Sequence, residues 1–152
     1  MKRKVVNKYL IIFLIAFILG AMLLQRAFTY RRSINLQNFE KACHQGIEIY
    51  EAFGNKNKGL NYIETWYFKE MDYAYLLDEE FKFLYHPNRD FIGNTWTSVG
   101  IDKFLSIQNE MMADKKKMTF NFTYDDVEKV SMIYKTKNDM FIVFHGNISD
   151  WH

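Results

Sequence analysis

Charge is absent from one whole stretch of this sequence: no Asp, Glu, Lys or Arg occurs between Lys8 and Arg26. Other things are scarce along the entire chain, which has one cysteine, one proline and four histidines in 152 residues. A single cysteine, Cys43, excludes an internal disulfide, and its ordinary role is that of a small buried hydrophobe. His44, His86, His145 and His152 are scattered without the spacing of metal-ligand pairs, so no structural metal is expected. There is no glycine-rich phosphate loop, no Ser- or Cys-centred nucleophile motif and no paired His/Glu spacing. No catalytic residue and no cofactor is therefore expected. Repeats and low-complexity segments are also missing.

The uncharged run from Tyr9 to Gln25 is apolar all round, whereas a surface helix of a soluble protein keeps a polar stripe. About 17 residues at ~1.5 Å each reach about 25 Å, close to a hydrocarbon core of roughly 30 Å. Lys8 and Arg26 can snorkel to cover the difference, with Tyr9 and Phe28 at the two interfaces. Lys2, Arg3, Lys4 and Lys8 precede the run, and Arg26, Arg31 and Arg32 follow it. This bias places the N-terminus in the cytoplasm. The run leaves through Met22-Leu-Leu-Gln-Arg26, which offers no small-x-small cleavage site, so an uncleaved anchor is expected rather than a removable signal peptide. The expected division is a cytoplasmic tail at 1–8, a transmembrane anchor at 9–28 and an extracytoplasmic domain at 29–152. Beyond residue 26 there are 15 basic and 18 acidic residues, a net −3. That balance offers nucleic acid no electrostatic footprint.

After the anchor, Phe39, Ala42, Cys43, Gly46, Ile47, Tyr50 and Phe53 recur in steps of three and four, which predicts a stalk helix over 29–53. Gly54 to Gly59 should break it, and a short second helix is expected over Leu60 to Met71. Tyr73 to Leu77 and the alternating Phe81, Phe83 and Tyr85 read as a strand hairpin around Asp78-Glu-Glu80. Pro87 should end its second strand. A helical crossover follows at 101–113, then three strands: Met118 to Tyr124, Val127 to Lys135 and Met140 to Phe144. The last is the most apolar and is placed centrally. The fold class is α+β, with a sheet of about five antiparallel strands backed by a long helix.

This order resembles the Cache domain, the PAS-like extracytoplasmic sensor of bacterial chemoreceptors, histidine kinases and cyclic-di-nucleotide enzymes. The resemblance is carried by Tyr75-Leu-Leu-Asp78, Phe83-Leu-Tyr-His-Pro-Asn88, Phe91-Ile-Gly-Asn-Thr95 and Met140-Phe-Ile-Val-Phe-His-Gly146, over roughly Thr29 to Ile148. It implies a pocket for a small carboxylate or amino acid between the sheet and the loop-plus-helix segment covering it. By the same resemblance the lining falls to Tyr85, His86, Trp96, Tyr124, Lys129 and Tyr134. Each has an alternative reading: the aromatics as core, His86 as a strand-end residue bonded to backbone, Lys129 as solvated.

In that family the last strand leads into a second membrane helix and a signalling domain, whereas this sequence reaches Trp151-His152 directly after it. The expectation is a receptor front, or a sensor read by a separate signalling partner. A homodimer through stalk residues Leu36, Phe39, Cys43 and Tyr50 is also expected. The competing reading is an interaction or structural module that keeps the sensor fold without a ligand. An open cavity with inward hydroxyls would favour sensing, and a closed Phe/Met core would favour the module.

Overall fold

The computed structural model describes residues 2–53, 71–99 and 102–148. The glycine-rich break at 54–59 and all but Met71 of the expected second helix lie outside the described residues. Two compact units are distinguished, Met1–Leu36 and Gln37–His152.

The first helix, α1, spans Lys2–Ala52. In the first unit its side chains from Leu10 to Leu24 are exposed, and this stretch is long and apolar enough to cross a membrane. In the second unit Phe39, Ala42, Cys43, Ile47 and Tyr50 are buried. They recur every three or four residues, which is the spacing of one face of a helix.

That face packs on a five-stranded antiparallel sheet of β1 (Tyr73–Leu77), β2 (Phe83–Tyr85), β3 (Lys117–Tyr124), β4 (Val127–Lys135) and β5 (Phe141–Asn147), in the order β2-β1-β5-β4-β3. Gly46 meets Phe144 of β5, Glu40 accepts from the Thr119 hydroxyl at 3.3 Å, and Glu51 pairs with Lys137 at 2.9 Å. Phe39 and Cys43 have no exposed surface and Tyr50 almost none, because they serve the interior of this protomer. Of the four residues expected at a dimer seam, these three pack inside this unit, while Leu36 is half-buried.

Strand β5 is central and buried from Phe141 to Gly146, as its apolar run requires. A helical crossover, α2 (Asp102–Met112), covers the other face with Phe104, Ile107 and Met111 inward. These pack with Trp96, Phe120, Ile133, Phe141 and Val143. The layout is thus helix, sheet, helix: the α+β arrangement that the sequence resemblance implies.

Tight turns set the register. Asp125 and Asp126, at φ 49° and 61°, form the two-residue loop between Tyr124 and Val127, where Asp tolerates the left-handed region. Asp78 Oδ1 accepts from the amides of Glu80 at 3.0 Å and Lys82 at 2.8 Å, and Phe81 follows at φ 60°. The β1–β2 pairing then shifts: Leu77 faces Phe83, whereas Leu76 faces Tyr85. That irregularity has consequences for the site.

Candidate functional site

Residues with odd numbers in β1, β4 and β5 share the α2 face of the sheet, and even-numbered residues share the α1 face. On the α2 face lies a cavity of about 90 Å³. Its strand walls are Tyr73 and Tyr75 from β1, Phe83 from β2, Phe122 and Tyr124 from β3, Lys129 from β4 and His145 from β5. His86 and Phe91 close it from the segment after β2, and Phe104 closes it from α2. The volume is several times the roughly 10–15 Å³ that one water needs and far below the roughly 300–1,000 Å³ of a drug-sized pocket. Its size matches a small molecule.

The walls are mostly rings. His145 stacks on Tyr73 at 4.8 Å and lies 5.0 Å from Tyr75, with Phe122 edge-on at 5.5 Å. His86 sits 5.2 Å from Tyr75 and 4.6 Å from Phe91. Its Nδ1 lies 3.0 Å from both the amide nitrogen and the carbonyl oxygen of Asn88, so the backbone fixes the ring.

Polar atoms are few and placed. The Tyr75 hydroxyl accepts from Trp96 Nε1 at 2.6 Å. Lys129 Nζ donates to Asp72 at 3.2 Å, and only 17% of the lysine side chain is exposed. His145 is 2% exposed; its Nδ1 lies 2.6 Å from Ser131 Oγ, and its Nε2 is buried without a hydrogen-bond partner among the described residues.

Burial sets the protonation states. The Tyr73 phenol is pushed up to about 12, chiefly by burial and further by Asp72 and Tyr124. Tyr75 moves well above its ordinary value by burial, although the Trp96 hydrogen bond opposes the shift. Burial lowers His86 against the pull of the Asn88 carbonyl. His145 is lowered to about 3, first by burial, then by Lys129 and His86. Near neutrality the cavity therefore presents neutral phenols and imidazoles beside a paired lysine and aspartate.

Of the six residues named from sequence, His86, Tyr124 and Lys129 come together in the cavity, and Tyr85, Trp96 and Tyr134 do not. Tyr134 pairs with Ile142 on the α1 face, since β4 alternates and Lys129 is an odd position. Tyr85 is turned by the irregularity in β1–β2: it opposes Leu76, while Phe83 opposes Leu77, so the two aromatics face opposite sides. Trp96 is completely buried behind the wall, stacked on Phe104 at 4.2 Å and bonded to Tyr75. Sequence reasoning missed Tyr73, Tyr75 and His145. The signal was present: Tyr73-Ala-Tyr75 alternates, and His145 interrupts the most apolar strand of the chain.

No family model matches this chain, and no curated protein matches it. Among solved structures, it is similar to one described as the structural basis for carboxylic acid recognition by a Cache chemosensory domain. The two share 16% identity at a TM-score of 0.49, over 82% of this chain and 95% of that one.

Proposed function

We propose that this protein is a membrane-anchored sensor whose extracytoplasmic domain binds a small carboxylate, of the short-chain acid or amino-acid class, in the cavity beneath α2. The observation that carries this reading is His145: a ring that lines an aromatic cavity beside Lys129 and whose buried Nε2 has no partner among the described residues. Buried polar atoms ordinarily find partners, so an orphan at a cavity wall points to a ligand. Lysine, imidazole and phenol hydrogens suit an anionic acceptor, and the Phe rings suit the carbon skeleton attached to it. A ligand-free interaction module has no need of such a space.

Strand β5 presents His145 to the cavity and its neighbour Phe144 to Gly46 of α1. Occupancy on one face therefore bears on the helix behind the other, and α1 also contains the apolar segment. A separate signalling partner would read that displacement. The basic residues Lys2, Arg3, Lys4 and Lys8 would hold the N-terminus in the cytoplasm.

The test is a thermal-unfolding screen of the full chain in detergent micelles against small monocarboxylates, dicarboxylates and amino acids. A ligand at about a hundred times its Kd adds about 2.7 kcal/mol, which at this size raises the midpoint by roughly 5–10 °C. A saturable rise with one class supports the reading. A flat response across the panel, with cooperative unfolding, rejects it.

A further inference from the structure

Taking the carboxylate reading of the cavity as given, we propose that the buried Ser131–His145 pair is the site's proton-accepting anchor, so that each bound carboxylate brings one proton from solvent onto His145. The argument begins with the charges that face this ring. Among the described residues, Tyr73 and Tyr75 come from β1, with Asp72 just before them; His86 follows β2, Tyr124 comes from β3, Lys129 from β4 and Phe104 from α2. Burial favours the neutral forms of Tyr73, Tyr75 and both imidazoles, and Lys129 is already paired with Asp72 at 3.2 Å. Among these groups no unpaired cation is left for an anion. A carboxylate entering the site would bring an uncompensated negative charge among aromatic rings, which is costly to the extent that the charge is desolvated.

His145 is built to remove that cost. The Ser131 hydroxyl, fully buried on the central part of β4, can donate to Nδ1 when the ring is neutral. It can rotate and accept from Nδ1–H when the ring is charged, so the 2.6 Å contact survives either state. In both states Nε2–H remains a donor on a ring that lines the cavity, with no partner among the described residues. His86 is less suited to the change, because its Nδ1 faces the Asn88 amide as well as the Asn88 carbonyl. Burial and Lys129 keep the empty site's His145 unprotonated, so the proton arrives with the ligand rather than before it. No bond other than that of the transferred proton is made or broken.

The experiment is calorimetric titration of the full chain in detergent with propionate, from about pH 8 down to about pH 6, in two buffers of different ionisation heat. The proposal expects uptake of close to one proton per propionate, and binding that weakens toward about tenfold for each unit of rising pH. His145→Gln, which keeps a side-chain donor and cannot titrate, should still bind but without the pH dependence or the buffer-dependent heat. Propionate binding that is independent of pH overturns this proposal while leaving the carboxylate site standing. A pH dependence that survives in His145→Gln and disappears in His86→Gln overturns it in favour of the other imidazole. No saturable binding of propionate, or of any acid in the panel, overturns both the proposal and the reading beneath it.

Discussion

A Cβ placed on Gly46 of α1 would stand 3.0 Å from Cε1 and 3.2 Å from Cζ of Phe144, at the centre of the sheet. Phe144 is completely buried, so its ring has little room to give. Gly46→Leu should cost about 1–3 kcal/mol by overpacking, even though leucine is the better helix former. The thermal midpoint should fall by roughly 2–10 °C. An unchanged midpoint would show that this contact is slack and that helix and sheet are not closely coupled there.

Trp96 and Tyr75 form a buried pair at 2.6 Å behind the cavity wall. Trp96→Phe leaves the Tyr75 hydroxyl without its donor and should cost about 1–3 kcal/mol beyond the lost volume. A double-mutant cycle with Tyr75→Phe should give a coupling of roughly 0.5–3 kcal/mol. Additive effects would contradict the bond.

Acid should destabilise the protein partly through His145. Its folded pKa lies at about 3, and its unfolded value is about 6.5. The unfolded chain therefore takes up the proton first as pH falls. This contribution is complete above about pH 6.5 and is lost at up to about 1.4 kcal/mol per unit down to the folded value; His86, also lowered, adds with the same sign. The stability of the wild type relative to His145→Gln should decline between about pH 6.5 and pH 4.5 in chemical-denaturation curves. A constant difference would mean that the imidazole is not held neutral.

Lys129→Gln separates binding from folding. The lysine–aspartate pair is partly exposed, so the change should alter stability by less than about 1 kcal/mol. Losing a charged donor should weaken a bound carboxylate by about tenfold or more. Equal affinity for the acid in both proteins would remove Lys129 from the site.

Much of this architecture was legible in the sequence because it follows from period and polarity. The uncharged run, the three-and-four stripe of α1, the alternation in β3 and the apolar β5 each report a local environment. The turn at Asp78 was equally plain. The spacing of the stalk stripe did not tell which side chains face the chain's own sheet, because a buried stripe has the same period whether it faces a partner or a sheet. The site was half legible. His86, Tyr124 and Lys129 were named only through the family resemblance, and a strict alternation from Phe81 to Tyr85 could not reveal the irregularity that turns Tyr85 away. Tyr134 was misassigned for want of parity with Lys129. The cavity itself depends on how Phe91 and Phe104 close over the strands, and no sequence pattern encodes a space left between side chains.

Calorimetric titration of the acid giving the largest thermal shift, into the wild type and into His145→Phe, tests the central claim most directly. One molecule bound per chain in the wild type, with no detectable heat of binding in a folded His145→Phe, is the predicted result. Undiminished binding in His145→Phe would contradict the account, because the acid would then be held somewhere other than this cavity.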